Sequence, residues 1–120
     1  MDVPKNLLGQ QAESAACQFL LQQGFQFIAK NYRSKQGEID LIMQDKADLV
    51  FVEVRSRKHD HFGNALESIT QRKQRNIIQT ALMYLQQKKL LDRIHCRFDI
   101  IGITQHHVEW IKDAFPIKFF

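Results

Sequence analysis

Two apolar segments joined by a short polar connector constrain the fold of this chain more than any other feature. Residues 38–44 (EIDLIMQ) and 49–55 (LVFVEVR) have the composition of β-strands. The four residues between them, DKAD, are short and polar, as in a β-hairpin connection. The sequence therefore predicts a hairpin in which Gln44 lies opposite Leu49.

This register places two acidic residues face to face. Asp40 falls opposite Glu53, and two residues further along Glu38 falls opposite Arg55. Directly opposed side chains lie about 4.5–5.5 Å apart at Cβ, and like charges so placed destabilise a sheet. Paired carboxylates instead suit a hard cation such as Mg²⁺ or Mn²⁺, which can activate water and neutralise charge on a phosphoryl group. The alternative is a structural ion pair, in which Arg55 or another cation neutralises both acids.

The remaining patterns predict helices on a mixed sheet. Apolar residues at helical spacing predict a first helix over about 6–23, ended by Gly24, and a second over about 66–89. Further strands are predicted over 25–33, 94–104 and 108–112. The order α-β-β-β-α-β-β predicts an α/β fold with a mixed sheet flanked by helices.

Composition excludes several classes of protein. With 44% hydrophobic and 25% charged residues, the 120-residue chain has the composition of a folded protein, and we expect one domain over 1–120. No apolar run approaches the ~20 residues of a membrane-spanning helix, and the N-terminus lacks the apolar segment of a signal peptide. We therefore expect a cytoplasmic location and no membrane partner. Cys17 and Cys96 lack metal-ligand spacing, so we expect reduced, buried thiols.

Positive charge is concentrated in one segment. Residues 55–75 contain six basic and two acidic side chains, so their net charge of +4 equals that of the whole chain. A local basic patch suits a polyanion such as nucleic acid, although a solvated helix face is the alternative. The expected nucleic-acid contacts in this segment include Arg57, Lys58, Arg72 and Arg75.

The two predicted helices add further candidates to the site. At about 100° per residue, Lys73 lies on the flank of the apolar face of the second helix and Gln74 lies near its centre. This pattern indicates that the start of the helix borders a cleft, or else that it is solvated. Lys73 and Arg75 lie on opposite flanks, so we expect at most one of them to face the site. Glu13 lies at the flank of the first helix, as a third acid or as a solvated surface residue.

Five short motifs in this order resemble those of a known family. They are GEID at 37–40, FVEVRSR at 51–57, FG at 62–63, QRK at 71–73 and RFD at 97–99. In this combination, the chain resembles the YraN family of small bacterial proteins, which are thought to be nuclease-like. That family is similar to archaeal Holliday junction resolvases and to the PD-(D/E)xK superfamily. The resemblance implies a restriction-endonuclease-like αβββαβ core and a metal-dependent nuclease acting on DNA, with branched or damaged DNA as the substrate.

The resemblance also implies roles for individual residues. Glu13 matches the helix-borne acid, Asp40 the first metal ligand and Glu53 the acid of the E-x-K motif. The backbone carbonyl of Val54 is expected to complete the shell of Mg²⁺ or Mn²⁺. The polar positions of the family's second helix fall on Gln71 and Lys73.

Arg55 stands where the family pattern has lysine. Arginine keeps the charge and binds phosphate bidentately, but it is effectively never deprotonated, so it can stabilise a transition state and cannot act as a base. Lys73, and after it Lys58, are candidates to replace that lysine. The alternative function is a non-cleaving nucleic-acid-binding module with a degenerate nuclease site. A third is a protein-interaction factor whose apolar tail at 114–120 and basic helix dock a protein or a second copy of the chain. Resolvase-like relatives imply a homodimer.

Overall fold

The elements of the fold occur in the order that the sequence predicts. A computed structural model describes residues 5–56, 65–104 and 107–117, with side chains described from residue 9 onward. The helices are α1 (Lys5–Gln22) and α2 (Gln71–Gln87), and a short 3₁₀ helix spans Ala65–Ser68. The strands are β1 (Gln26–Arg33), β2 (Glu38–Asp45), β3 (Asp48–Ser56), β4 (Cys96–Ile103) and β5 (Val108–Ile111).

The five strands form one mixed sheet in the order β1-β2-β3-β4-β5. The first three strands are antiparallel, β3 and β4 are parallel, and β5 is antiparallel to β4. Gln44 pairs with Leu49, so the predicted hairpin register is confirmed. Parallel neighbours need a long crossover connection, and the segment containing α2 provides it between β3 and β4.

The two helices cover opposite faces of the sheet. Leu20 of α1 packs in a cluster with Val52, whereas Leu85 of α2 packs in a second cluster with Phe51. Successive residues of β3 therefore face different helices, as strand alternation requires. The structure confirms an α/β fold with a mixed sheet flanked by helices, consistent with a restriction-endonuclease-like core.

Helix α1 ends where the sequence predicts, because Gly24 adopts a left-handed conformation with φ of +94°. The N–H of Gly24 donates to the carbonyl of Leu21 at 3.0 Å, and the N–H of Phe25 donates to that of Leu20 at 3.1 Å. These two bonds form a Schellman motif, which caps the last carbonyls of the helix.

Helix α2 begins later than the sequence predicts. Thr70 is extended, with ψ of 160°, and its hydroxyl accepts from the N–H of Lys73 at 3.1 Å, so it is the N-cap of the helix. The residues before it form the short 3₁₀ helix instead of a continuous first turn. Lys73 consequently lies in the first turn of α2.

The described part of the C-terminal tail packs against the chain's own core. The ring of Phe115 is stacked on that of Phe98 with 4.8 Å between centroids, and the N–H of Ala114 donates to the carbonyl of Phe98 at 2.7 Å. Cys17 and Cys96 are unbridged, as predicted, but half-buried rather than buried. Of the helices in the described ranges, none is long and apolar enough to cross a membrane.

Candidate metal centre

Strands β2 and β3 stop pairing one residue short of Asp40 and Glu53, the two predicted carboxylates. Their backbone pairing ends at Leu41 and Val52. The N–H of Val54 donates to Oδ2 of Asp40 at 2.8 Å, and β3 continues its parallel pairing with β4. Where the hairpin opens, the side chain of Asp40 therefore accepts the hydrogen bond from β3 in place of a backbone carbonyl of β2.

Asp40 and Glu53 lie together, as the hairpin register predicts. Glu53 is only 6% exposed, and the Nζ atom of Lys73 lies 3.1 Å from its Oε1 atom. Burial and the neighbouring Glu53 raise the pKa of Asp40 to about 8, although the hydrogen bond from Val54 favours the ionised form. Ionising Asp40 beside Glu53 is therefore unfavourable, so Asp40 keeps its proton to a higher pH than an ordinary aspartate.

Two more carboxylates approach Asp40. One oxygen atom from each of Glu13, Glu38 and Asp40 lies within 4.8 Å of the other two. Nδ2 of Asn31 donates to Oε2 of Glu13 at 3.0 Å and to Oε1 of Glu38 at 2.8 Å. Nε of Arg33 lies 3.6 Å from Oε2 of Glu38. The acidic site, as we call it, consists of Glu13, Glu38, Asp40 and Glu53.

Irregular strand geometry brings these groups together. Asn31 has φ of +53°, a left-handed conformation that asparagine tolerates better than most residues. On β2, Ile39 packs on the α2 side and Leu41 on the α1 side, whereas residues two apart share a face in a regular strand. The alternation of side chains therefore breaks next to Asp40.

Lys73, rather than Arg55, is the basic residue that contacts Glu53. Nη2 of Arg55 donates to the carbonyl of Ser68 at 3.2 Å, and no salt bridge joins Arg55 to the acidic site within the described residues. The predicted pairing of Glu38 with Arg55 is not formed, because the β2–β3 ladder ends before reaching them. The catalytic role expected of Arg55 stays a prediction.

The first turns of α2 carry exposed polar and basic side chains. Gln71, Arg72 and Arg75 are exposed, whereas Lys73 is directed to the acidic site. Of the two flanking residues that the helical spacing singled out, Lys73 is therefore the one in contact with a site carboxylate. The remaining expected nucleic-acid contacts, Arg57 and Lys58, lie outside the described residues.

Sequence reasoning missed two residues of this arrangement. The predicted register pairs Glu38 with Arg55 and gives it no part in the site, whereas the structure places its carboxylate near those of Glu13 and Asp40. Asn31 gave no signal, because its role depends on a positive φ that the strand pattern does not reveal.

The donor set of the acidic site fits a hard divalent cation. The grouped donors of Glu13, Glu38 and Asp40 are all carboxylate oxygens, which Mg²⁺ and Mn²⁺ prefer over the nitrogen and sulfur ligands typical of zinc sites. Asp40 is near Glu53 on one side and near Glu13 and Glu38 on the other, so it lies at the centre of the set.

The residues of this site lie within a region shared with many relatives. The sequence profile of the uncharacterised protein family UPF0102 matches residues 12–103. A UPF0102 protein of Coxiella burnetii (strain RSA 331 / Henzerling II) is 51% identical over 113 residues, which cover 93% of this chain and 94% of that protein. A UPF0102 protein of Saccharophagus degradans is 47% identical, with 94% and 96% covered. The chain therefore belongs to the uncharacterised protein family UPF0102.

Proposed function

We propose that this protein is a metal-dependent nuclease that cuts DNA, with branched or damaged DNA as its substrate class. The observation that carries the proposal is the buried Glu53, which lies beside Asp40 and contacts Lys73 at 3.1 Å. Two acids and a lysine at the open end of a hairpin supply the groups that phosphodiester cleavage with a metal ion requires. The resemblance of the motifs to those of the YraN family and the PD-(D/E)xK superfamily also supports the proposal.

Asp40 and Glu53 would hold Mg²⁺ or Mn²⁺, together with the carbonyl oxygen of Val54. Glu13 and Glu38 lie close enough to Asp40 to extend this ligand set. The bound cation would neutralise developing phosphate charge and activate a water molecule. Because carboxylates bind metals in the ionised form, Asp40 must release its proton when the cation binds.

Lys73 would serve the reaction as a positive charge beside the phosphate. Its ammonium keeps Glu53 paired while that carboxylate is buried, and its side chain is 41% exposed, so it is also accessible to substrate. The exposed Arg72 and Arg75 lie on the same helical turns and would hold the phosphate backbone, as would Gln71, Arg57 and Lys58.

A non-cleaving nucleic-acid-binding module is the second candidate, and Arg55 favours it. The position expected to hold a lysine carries a guanidinium that donates to the carbonyl of Ser68 and cannot act as a base. This function predicts salt-dependent DNA binding, with a log–log slope of several counterions, and no metal-dependent product.

Cleavage of a labelled four-way DNA junction in Mg²⁺ or Mn²⁺ separates the two candidates. The nuclease proposal predicts that the wild type cuts the junction and that Asp40→Ala does not, while Asp40→Ala binds equally or more tightly because a negative charge near the phosphate is lost. Asp45→Asn, which changes a carboxylate at the other end of β2, is the matched control and should cut like the wild type.

Each other result of the cleavage assay points to a different conclusion. Full activity in Asp40→Ala would show that the metal assignment is wrong. Cutting by Arg55→Lys alone would mean that the site is intact but that the native chain lacks its catalytic cation. Binding by all variants without any product would favour the binding module. The homodimer and the cytoplasmic location stay predictions, and sedimentation velocity would test the first of them.

A further inference from the structure

A cleft of about 650 Å³ runs between α1 and β1 beside the acidic site. Glu13 of the acidic site lines it, and so does Leu41, the residue that follows Asp40. Leu41 belongs to the core cluster under α1, so the cleft lies on the face of the sheet opposite to α2 and its basic side chains. The cleft and the basic turns of α2 therefore approach the acidic site from opposite faces.

A β-bulge in β1 places an aromatic ring and an ammonium group in this cleft. The β1–β2 register shifts between Phe27 and Ala29. Residues three apart face opposite sides of a regular strand, whereas Phe27 and Lys30 both line the cleft. The side chain of Phe27 is 47% exposed and that of Lys30 is also exposed. The bulge therefore builds a surface that a regular edge strand would not have.

We propose that this cleft binds unpaired nucleotides of a branched nucleic acid, next to the phosphate held at the acidic site. The inference rests on the proposed function, because it specifies the substrate of that same site. An exposed ring such as Phe27 stacks on the face of a base, and an ammonium such as Lys30 pairs with a phosphate. The carboxamides of Gln10 and Gln18, which also line the cleft, can bond to base edges.

The charge of the cleft favours a single strand over a duplex. Among the described residues that line it, Lys30 is the only cation and Glu13 the only anion. A duplex binds chiefly through many neutralised phosphates, which one lysine cannot supply. Stacking on Phe27 requires an open base face, which an unpaired nucleotide offers and the interior of a duplex does not.

Cys17 provides a direct reporter of occupancy. It lines the cleft, and the chain has one other cysteine, Cys96, which begins β4. Burial raises the pKa of the Cys17 thiol and the charge of Lys30 opposes that rise, so the thiol and the ammonium are neighbours. Cys96→Ser leaves Cys17 as the reporter, and Cys17→Ser leaves Cys96 as the matched control.

The experiment measures the rate of alkylation by N-ethylmaleimide in EDTA, where no cleavage occurs. The probes are an oligothymidylate of eight nucleotides and a relaxed, closed circular duplex, which has no ends, at equal phosphate concentration. We expect the oligothymidylate to slow alkylation of Cys17 by about five-fold or more, with little effect of the duplex and none at Cys96. Phe27→Ala and Phe27→Leu should both abolish the protection, because leucine keeps the apolar surface but not the ring. Lys30→Gln should weaken it.

Four results would overturn the proposal. They are equal protection by the oligothymidylate and the duplex, no protection at millimolar oligothymidylate, unchanged protection in either Phe27 variant, and protection of Cys17 that grows with protein concentration without DNA. The last result would assign the cleft to a second copy of the chain. Since none of these measurements requires cleavage, failure of this inference is distinguishable from a lack of nuclease activity in Mn²⁺.

Discussion

The two ends of β2 carry carboxylates in contrasting surroundings. At the end away from the acidic site, three aspartates surround the guanidinium of Arg97, which is 13% exposed. Nε of Arg97 lies 3.0 Å from Oδ1 of Asp99, and its Nη2 and Nη1 atoms lie 3.2 and 3.4 Å from Asp45 and Asp48. We call these four residues the Arg97 cluster.

The buried carboxylate of the Arg97 cluster is saturated with donors. Asp99 is fully buried, and besides Arg97 it accepts from Nε1 of Trp110 and from the N–H of Asp113, each at 3.0 Å. The acidic site differs in this respect, since Asp40 accepts one N–H from Val54 and otherwise faces other carboxylates.

Counting charges does not separate the two regions. The Arg97 cluster has three aspartates and one arginine. In the acidic site, which has four acids, Glu53 contacts Lys73 and Glu38 contacts Arg33, so both regions have a formal charge of −2 when every acid is ionised.

The two buried carboxylates, Asp99 and Glu53, each contact a cation, and the difference lies in the half-buried Asp40, which is surrounded by other acids. The guanidinium of Arg97 neutralises the buried Asp99, whereas burial and Glu53 raise the pKa of Asp40 to about 8, because its neighbours among the described residues are other acids.

The largest effect on stability is expected from removing the guanidinium of Arg97. Arg97→Met leaves Asp99 buried beside Asp45 and Asp48 without its guanidinium, and breaking a buried ion pair in this way costs about 3–5 kcal/mol. Urea unfolding at pH 7 measures the loss. Asp45→Asn is the control and should cost less than about 1 kcal/mol, because that side chain is partly exposed and solvated. A change of under about 1 kcal/mol in Arg97→Met would show that the cluster is not structural.

At the acidic site, Asp40→Asn is expected to raise stability, by less than Arg97→Met lowers it. Asp40 has a folded-state pKa of about 8 against an ordinary value of 3.8, so the folded protein retains a proton that the unfolded chain releases between these pH values. Stability therefore falls as pH rises through this window, and Asp40→Asn, which keeps an acceptor for the Val54 N–H, should avoid the fall. In EDTA at pH 8 the variant should be more stable than the wild type by about 1–3 kcal/mol, since one pKa unit corresponds to about 1.4 kcal/mol.

Chemical denaturation from pH 4 to 8 tests this sign directly. The two proteins should be equally stable near pH 4 and diverge toward pH 8. A variant that is less stable than the wild type at pH 8 would contradict the account of Asp40 as a repelled carboxyl.

The smallest effect is expected at Asn31. Asn31→Gly keeps the positive φ but removes the amide between Glu13 and Glu38, so it should cost about 1 kcal/mol in EDTA. Asn31→Ala should cost about 1 kcal/mol more, because alanine is strained in the left-handed conformation. In thermal unfolding with saturating Mn²⁺, the difference in stability between Asn31→Gly and the wild type should shrink. The cation would neutralise the same two carboxylates that the amide of Asn31 contacts. An unchanged difference would mean that the amide and the cation do not share a site.

The hairpin was predictable because a four-residue polar connector joins two apolar segments, which leaves few registers open. That register predicts that Asp40 and Glu53 lie together. Helical spacing predicts that Lys73 lies on the flank of the apolar face of α2, from which it contacts Glu53. These predictions depend on regular geometry, in which side-chain direction follows from residue number.

The rest of the site depends on departures from regular geometry. The left-handed Asn31, the bulge beside Phe27 and the early end of the β2–β3 ladder each change where a side chain points. These irregularities depend on tertiary contacts, so the spacing of apolar and polar residues along the sequence does not predict them. The packing of Phe115 on Phe98 was also not predictable, because the apolar composition of the tail does not specify which surface it covers.

The central claim is that the acidic site, and not the Arg97 cluster, binds a divalent cation. Isothermal titration of Mn²⁺ at pH 8 into the wild type, Glu53→Gln and Asp45→Asn tests it most directly. We predict that the wild type and Asp45→Asn bind Mn²⁺ equally and that Glu53→Gln binds at least about ten-fold more weakly, as expected for loss of a carboxylate ligand. Equal binding by all three proteins, or no binding by the wild type at millimolar Mn²⁺, would contradict the claim.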